Sequence, residues 1–340
     1  MKKKIKTLDI PREVMIEIEP KCNLNCKFCF NKNSFAEKGR DIENKLTMEF
    51  VKKIIDNAFI SGIKRIRFTG GEPLLRKDIW ELAEYVKSKD MELRLNTNGT
   101  LIKNLSIAKK ISKYFDNLLL PIQYNDIFLK NTEAKAKSKA IYLLKKANVG
   151  VIRIGTVATK EVLQNMNKVF NFVDSLPIDK WELYRVISTP DNKKSFTNED
   201  VENLVEGLIK IKSKTNKIVN LINAIPFCSY DPEKIDQVAI GANAVDGHER
   251  LAVDPRGFAK PIYYMRENIG DPTDIMACWN HPFMKKMRNL EFVPKECKKC
   301  IYLEKCKGGC RFSAFVVNGK YNSPDPLMNL KNYVYSQKNK

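Results

Sequence analysis

Six times between Val14 and about Lys214 the chain repeats one unit, a short apolar run of strand length followed by an amphipathic stretch of helix length. Val14 to Ile18 is the first strand. Leu46 to Ser61 follows as a helix, with Phe50, Val51, Ile54, Ile55, Ala58 and Phe59 on one face and Gly62 at C′. Arg65 to Thr69 is the next strand, and Asp78 to Lys89 a helix that Asp78 can cap. The later pairs are Met91–Asn96 with Lys103–Tyr114, Leu118–Gln123 with Thr132–Ala147, Val151–Ala158 with Glu161–Leu176, and Lys180–Ile187 with Asn198–Lys214. Strands joined by helical crossovers lie parallel in one sheet. Six units rather than eight predict an α/β fold built on a partial, open (β/α)6 TIM-like barrel, with its ligand at the C-terminal ends of the strands.

The repeat stops after Asn220. From Pro226 to Pro326 prolines recur, one clear helix remains near Phe283–Leu290, and six of the nine cysteines fall there. A segment with so little apolar periodicity needs another source of stability, which bound metal supplies. The expected division is a core over 1–222 and a smaller cysteine-rich domain over 223–340.

The nine cysteines fall into two groups: Cys22, Cys26 and Cys29, then six from Cys228 to Cys310. An odd, clustered set in a 340-residue chain is not a secreted disulfide scaffold and points to metal or cluster ligation in a reducing compartment. The N-terminal MKKKIKTLDIPREV lacks the apolar run of a signal peptide, and no stretch approaches the ~20 apolar residues that span a bilayer. A cytoplasmic protein with no membrane contact is expected. Sixty Lys and Arg against forty Asp and Glu give +20, but the lysines are spread along the chain and read as solvated helix faces rather than a nucleic-acid stripe.

The first group places thiolates at i, i+4 and i+7 directly after the first strand. Three thiolates on one tight loop can hold three irons of a cubane and leave the fourth open. A structural zinc needs four ligands, and the two histidines, His248 and His281, lie far away in sequence. CNLNCKFC resembles the CxxxCxφC signature of the radical S-adenosylmethionine (SAM) superfamily, with Phe28 as its aromatic residue. Arg65-Ile-Arg-Phe-Thr-Gly-Gly-Glu-Pro-Leu74 and Leu95-Asn-Thr-Asn-Gly99 stand at the ends of the second and third strands, where that family has its further elements.

The resemblance implies that Cys22, Cys26 and Cys29 ligate a [4Fe-4S] cluster that binds SAM. Reductive cleavage then gives a 5′-deoxyadenosyl radical that removes hydrogen from a substrate, with an electron donor of ferredoxin or flavodoxin type. It also implies SAM contacts from Phe28, Gly70, Gly71, Glu72, Pro73, Asn96 and Asn98. The glycines would let the backbone approach the ligand, and Glu72 would pair with the α-ammonium group. Where relatives have an SLDG-like stretch, this chain reads Leu120-Pro-Ile-Gln-Tyr-Asn-Asp126, so Gln123 or Asn125 would take that role.

Cys297, Cys300, Cys306 and Cys310 form a CxxCx5CxxxC array that by itself also suits a zinc ribbon. Its surroundings resemble the SPASM/twitch extension of radical SAM enzymes. Leu251–Gly257 followed by Ile269–Asp271 is like the hairpin, Trp279 matches an aromatic position, and Lys307-Gly-Gly-Cys-Arg311 ends the array. Ile262 and Met328 stand where that family commonly has cysteines. On this resemblance Cys228 and Cys310 are remnants of a first auxiliary site. One auxiliary [4Fe-4S] cluster is expected, on Cys297, Cys300, Cys306 and either Cys310 or Cys278.

The expected function is an oxidoreductase or transferase-type radical SAM enzyme that modifies a peptide or protein side chain. Two alternatives are cofactor biosynthesis on a small acidic molecule such as a tetrapyrrole, and an RNA-modifying or RNA-binding protein with a ribbon-like C-terminus. Phe312, Phe315, Tyr321, Tyr333 and Tyr335 near the basic C-terminus read as packing rather than base stacking, which disfavours nucleic acid. No acid or base is assigned: Tyr263, Tyr264, His248 and Asp254 read as structural, and His281 as the cap of a turn.

Overall fold

Charged and apolar residues alternate along the strands, and this gives the two faces of one sheet opposite characters. The computed structural model describes residues 7–26, 29, 42–129, 132–188, 196–242, 247–265 and 267–332. Seven parallel strands follow one another in sequence order: β1 (Glu13–Glu19), β2 (Arg65–Gly70), β3 (Glu92–Asn96), β4 (Asn117–Pro121), β5 (Val151–Ala158), β6 (Lys180–Arg185) and β7 (Ile218–Leu221). On the other side of β1 lies β8 (Arg250–Val253), also parallel, and β9 (Ala259–Lys260) pairs antiparallel with β8 as the end of a hairpin. The cysteine-rich segment therefore joins the same sheet as the barrel strands.

The crossovers are α1 (Met48–Ile60), α2 (Ile79–Lys87), α3 (Leu105–Tyr114), α4 (Tyr124–Phe128), α5 (Thr132–Lys146), α6 (Lys160–Gln164), α7 (Met166–Asp174) and α8 (Asn198–Lys212). Thr47 caps α1 by accepting from Phe50 N–H, and its buried stripe of Val51, Ile54, Ile55 and Ala58 packs on the sheet's helical face. That face carries Ile16, Phe68, Leu95, Leu118, Ile152 and Trp181, all buried in one cluster.

The other face is polar. The Glu13 carboxylate accepts from Arg67 Nε at 2.7 Å and Nη2 at 2.9 Å, with Arg250 at 3.3 Å and Arg94 at 3.4 Å. Burial opposes its charge, but Arg67, Arg250 and Arg94 overcome that and hold the carboxyl well below the usual range. Arg153 pairs with Glu182 at 2.8 Å. In a flat sheet β2 and β6 would stand about 19 Å apart. Arg67 nevertheless lies in the field of Glu182 and Tyr184, so the sheet curls around a polar lumen.

Beyond Asn220, where one clear helix was expected, the described residues include the helices Pro232–Val238, Ile275–Asn280, Pro282–Arg288 and Arg311–Asn318, and three features of the barrel also differ from the sequence reading. A seventh parallel strand follows the sixth unit; β7 is only four residues long, with Ile218 half exposed, and carries too short a pattern to read. The helix expected over Glu161–Leu176 breaks at Asn165 (φ −119°, ψ 24°), where Nδ2 donates back to Glu161 O at 3.0 Å. Asp78 precedes α2 without capping it, because its carboxylate takes a two-pronged bond from Arg76 at 2.6 and 3.0 Å.

Candidate functional site

The ends of β1, β2 and β3 meet beneath the first cysteine group. Gly71 N–H donates to Glu19 O at 2.6 Å and Glu72 N–H to Lys21 O at 2.8 Å, which ties the end of β2 to the root of the cysteine loop. Gly70 has φ +135°, and a Cβ there would stand 2.3 Å from Glu19 O; one on Gly71 would stand 2.2 Å from Lys21 O. These glycines thus permit a close approach between two chain segments, besides any approach to a ligand. Pro73 is buried and opens the short 3-10 turn Pro73–Leu75.

Glu72 is fully enclosed. Its carboxylate accepts from Thr97 Oγ1 at 2.7 Å, Asn98 N–H at 2.7 Å and Leu74 N–H at 3.1 Å. Burial pushes its pKa up to about 7, against the pull of these donors. Three of the carboxylate's roughly four acceptor sites are thus used, and Glu72 acts as a clasp between the ends of β2 and β3.

Asn98 is the direct link from β3 to the cysteines. Its Nδ2 lies 3.8 Å from Cys22 Sγ and donates to Asn23 Oδ1 at 2.9 Å, while Leu24 N–H donates to Cys22 Sγ at 3.5 Å. Cys29 N–H turns back to Cys26 O at 3.3 Å, so all three half-buried thiols share one short loop. This donor set of three thiols on a tight loop with N–H groups directed at sulfur fits a cluster that needs three protein ligands. Phe28 lies outside the described residues. Asn96 sits lower, accepting from Arg67 Nη1 at 2.9 Å on the lumen side.

Gln123 is held within the sheet. Its amide donates to Gly155 O at 3.2 Å and accepts from Val157 N–H at 3.0 Å, so it stitches the end of β4 to β5. The residue that sequence reasoning missed is Lys137 of α5. It is buried, pairs with Asp126 at 3.0 Å and Glu133 at 2.8 Å, and lies in the field of Cys26. Burial raises the Cys26 pKa and Lys137 opposes that rise. Among the lysines of TEAKAKSKA, only its i,i+4 spacing from Glu133 set it apart.

Four of the six cysteines of the second group meet at one open-sided pocket. Cys228, Cys297, Cys300 and Cys306 line it together with Pro226, Phe227, Leu303, Gly308 and Met328. Cys228, read from the sequence as a remnant of another site, is therefore beside the array. Burial pushes the pKa of Cys228 up to about 12 and that of Cys306 to about 11.

Neither candidate fourth ligand lines that cavity. Cys278 Sγ donates to Asp271 O at 3.1 Å and lies in the main core. Cys310 Sγ accepts from Ser313 N–H at 3.4 Å at the start of the helix Arg311–Asn318, and packs in a separate apolar cluster with Ile262, Tyr264, Met265 and Phe312. Cys310 thus packs beside Ile262 and away from the pocket that Cys297, Cys300 and Cys306 line. His281 Nδ1 accepts from Phe283 N–H at 3.2 Å as a helix cap. His248 is buried, which with Lys307 and Arg288 drives its pKa well down. Tyr263 is pushed up to about 12 by burial and lies in the field of Arg250, Glu17 and Arg67 at the lumen.

Residues 16–173 match the sequence profile of the radical SAM superfamily, so the chain carries a radical SAM domain over that part of its length. It is 22% identical over 339 residues to the PqqA peptide cyclase of Granulibacter bethesdensis, covering 94% of this chain and 87% of that one. The fold is shared with Streptococcus suis SuiB bound to S-adenosylmethionine, at TM-score 0.75 and 22% identity over 95% of this chain and 78% of that one. It is shared also with anSMEcpe bound to AdoMet and the Cp18Cys peptide, at TM-score 0.69 and 18% identity over 93% and 92%. Among the described residues no helix is long and apolar enough to cross a membrane.

Proposed function

We propose that this chain is a radical SAM enzyme that modifies a side chain of a peptide or protein substrate. The observation that carries this is the extent of the likeness: alignment with a peptide cyclase runs over 94% of the chain, through the cysteine-rich region as well as the barrel. SuiB has a solved complex with its precursor peptide SuiA, and that structure superposes over 95% of this chain. When bound at Cys22, Cys26 and Cys29, a [4Fe-4S] cluster with SAM supplies the 5′-deoxyadenosyl radical that abstracts hydrogen. The protein's part is positional: Glu72, Asn98 and the Gly70–Gly71 approach set the cysteine loop over the lumen, whose Arg67, Glu17 and Tyr263 face the substrate. The core spans about residues 1–222. The region beyond carries one auxiliary [4Fe-4S] cluster, fed like the first by a ferredoxin- or flavodoxin-type donor in the cytoplasm.

Anaerobically reconstituted protein with reductant and SAM should form 5′-deoxyadenosine, and Cys26→Ala should abolish it. Short peptides encoded beside its gene should raise that yield and change in mass. Stimulation by a tetrapyrrole carboxylate instead, with all such peptides inert, would overturn the peptide reading. About eight irons per chain support one auxiliary cluster. About twelve, or four with one zinc, contradict it.

A further inference from the structure

We infer that Cys228 is the fourth ligand of the auxiliary cluster, so that the site is built by Cys228, Cys297, Cys300 and Cys306 while Met328 lines it without ligating. This rests on the single-cluster reading above and assigns its ligands.

Four of the six C-terminal cysteines line one cavity whose other walls are apolar, and the two remaining cysteines lie elsewhere. Among the described residues no three of His, Cys, Asp and Glu meet closely enough for a single metal ion. Four thiols instead line one pocket, an arrangement that suits a polynuclear cluster held from its corners. Soft thiolates are the donors such a cluster takes.

The surrounding chain is arranged for this set. Phe227 N–H donates to Cys306 Sγ at 3.5 Å, so the segment carrying Cys228 is already joined to the array. Asn198 Nδ2 donates both to Ser229 O at 2.7 Å and to Leu327 O at 2.8 Å, clamping the residue after Cys228 and the residue before Met328 onto α8. The Met328 thioether accepts from Asp325 N–H at 3.2 Å. Lys307, Gly308 and Gly309 all have positive φ, and a Cβ on Gly309 would stand 2.7 Å from Asp325 Oδ2, so this tight turn depends on glycine. With four thiolates from the protein no iron is left open, so the auxiliary cluster cannot bind substrate through a vacant iron. Its part is to relay electrons or to fasten the chain after β7 to the C-terminal cap.

The test uses the full chain carrying Cys22→Ser, Cys26→Ser and Cys29→Ser, reconstituted anaerobically with ferrous iron and sulfide. Iron and sulfide per chain are counted, and the dithionite-reduced EPR signal is recorded. The background should hold about four irons and four sulfides. Adding C228A should leave one iron without a protein ligand, so that mild oxidation lowers the count to about three irons and gives a [3Fe-4S] EPR signal, while adding C278A or C310A should behave as the background does. Placing a thiol on the same pocket wall, in C228A/M328C, should restore the background's resistance to that loss, which separates loss of a ligand from loss of the fold. A C228A cluster as resistant to oxidation as the background, or no recovery in C228A/M328C, would overturn the assignment of Cys228 alone. A background that holds no iron, or one zinc, would overturn both this assignment and the auxiliary cluster itself.

Discussion

Glu72 shows how much one enclosed side chain can determine at the residue scale. Its carboxylate bridges three donors from two strand ends, yet burial still raises its pKa from 4.5 to about 7. A carboxyl whose folded pKa is raised favours the folded state below its unfolded pKa, and that contribution is lost as pH rises through the folded value. Glu72→Gln removes the titration. The stability of the variant relative to the parent should therefore rise between pH 5 and pH 8, by up to about 3 kcal/mol. Denaturant melts at several pH values check this, and a difference that stays flat with pH would contradict it. The GGE motif itself was legible in the sequence. The partners of Glu72 were not, because Thr97 and Asn98 reach it only once β2 and β3 are side by side.

At the scale of the elements, the barrel floor is a strand-to-strand charge network. Glu13 of β1 meets Arg67 of β2, Arg94 of β3 and Arg250 of β8. Replacing one partner of a buried pair leaves an uncompensated charge, which costs about 3–5 kcal/mol. Glu13→Gln should lose about that much, read as a fall in the urea midpoint with little change in slope. A loss below 1 kcal/mol would mean that the arginines are adequately solvated without Glu13. The strands themselves were visible as apolar runs, since one face of each meets helices. The inward charges within those runs, such as Arg67 and Arg153, had no readable partners, because pairing depends on register and on the curl of the sheet.

Over the whole molecule, a buried ion pair joins the end of the barrel to the turn that follows the cysteine array. Arg185, at the end of β6, pairs with Asp325 at 3.1 Å, and both side chains are buried. Asp325 also accepts from Cys310 N–H at 2.7 Å and Leu327 N–H at 3.0 Å, so it organises the turn that follows the cysteine array. Asp325→Asn leaves the Arg185 guanidinium without its counter-charge and should destabilise by about 3 kcal/mol or more. Hydrogen exchange should show faster opening over residues 307–328, while β2 to β5 keep their protection. Equal loosening of the barrel strands would show that the two regions open as one unit.

The sequence by itself determined what lies close along the chain: the order of parallel strands and helices, the loop that gathers Cys22, Cys26 and Cys29, and the glycine-rich end of β2. Each of these is set by spacing over a few residues, where periodicity and backbone geometry act directly. Tertiary structure alone decided which distant groups meet. Cys228 joined Cys297, Cys300 and Cys306 around one cavity, while Cys310, only four residues beyond Cys306, went into an apolar cluster with Ile262. A helix start redirects a side chain within a single turn, and packing can close a gap of seventy residues. Nearness in sequence therefore places the first three cysteines on one loop, whereas the cysteine that joins the second array, Cys228, comes from far along the chain.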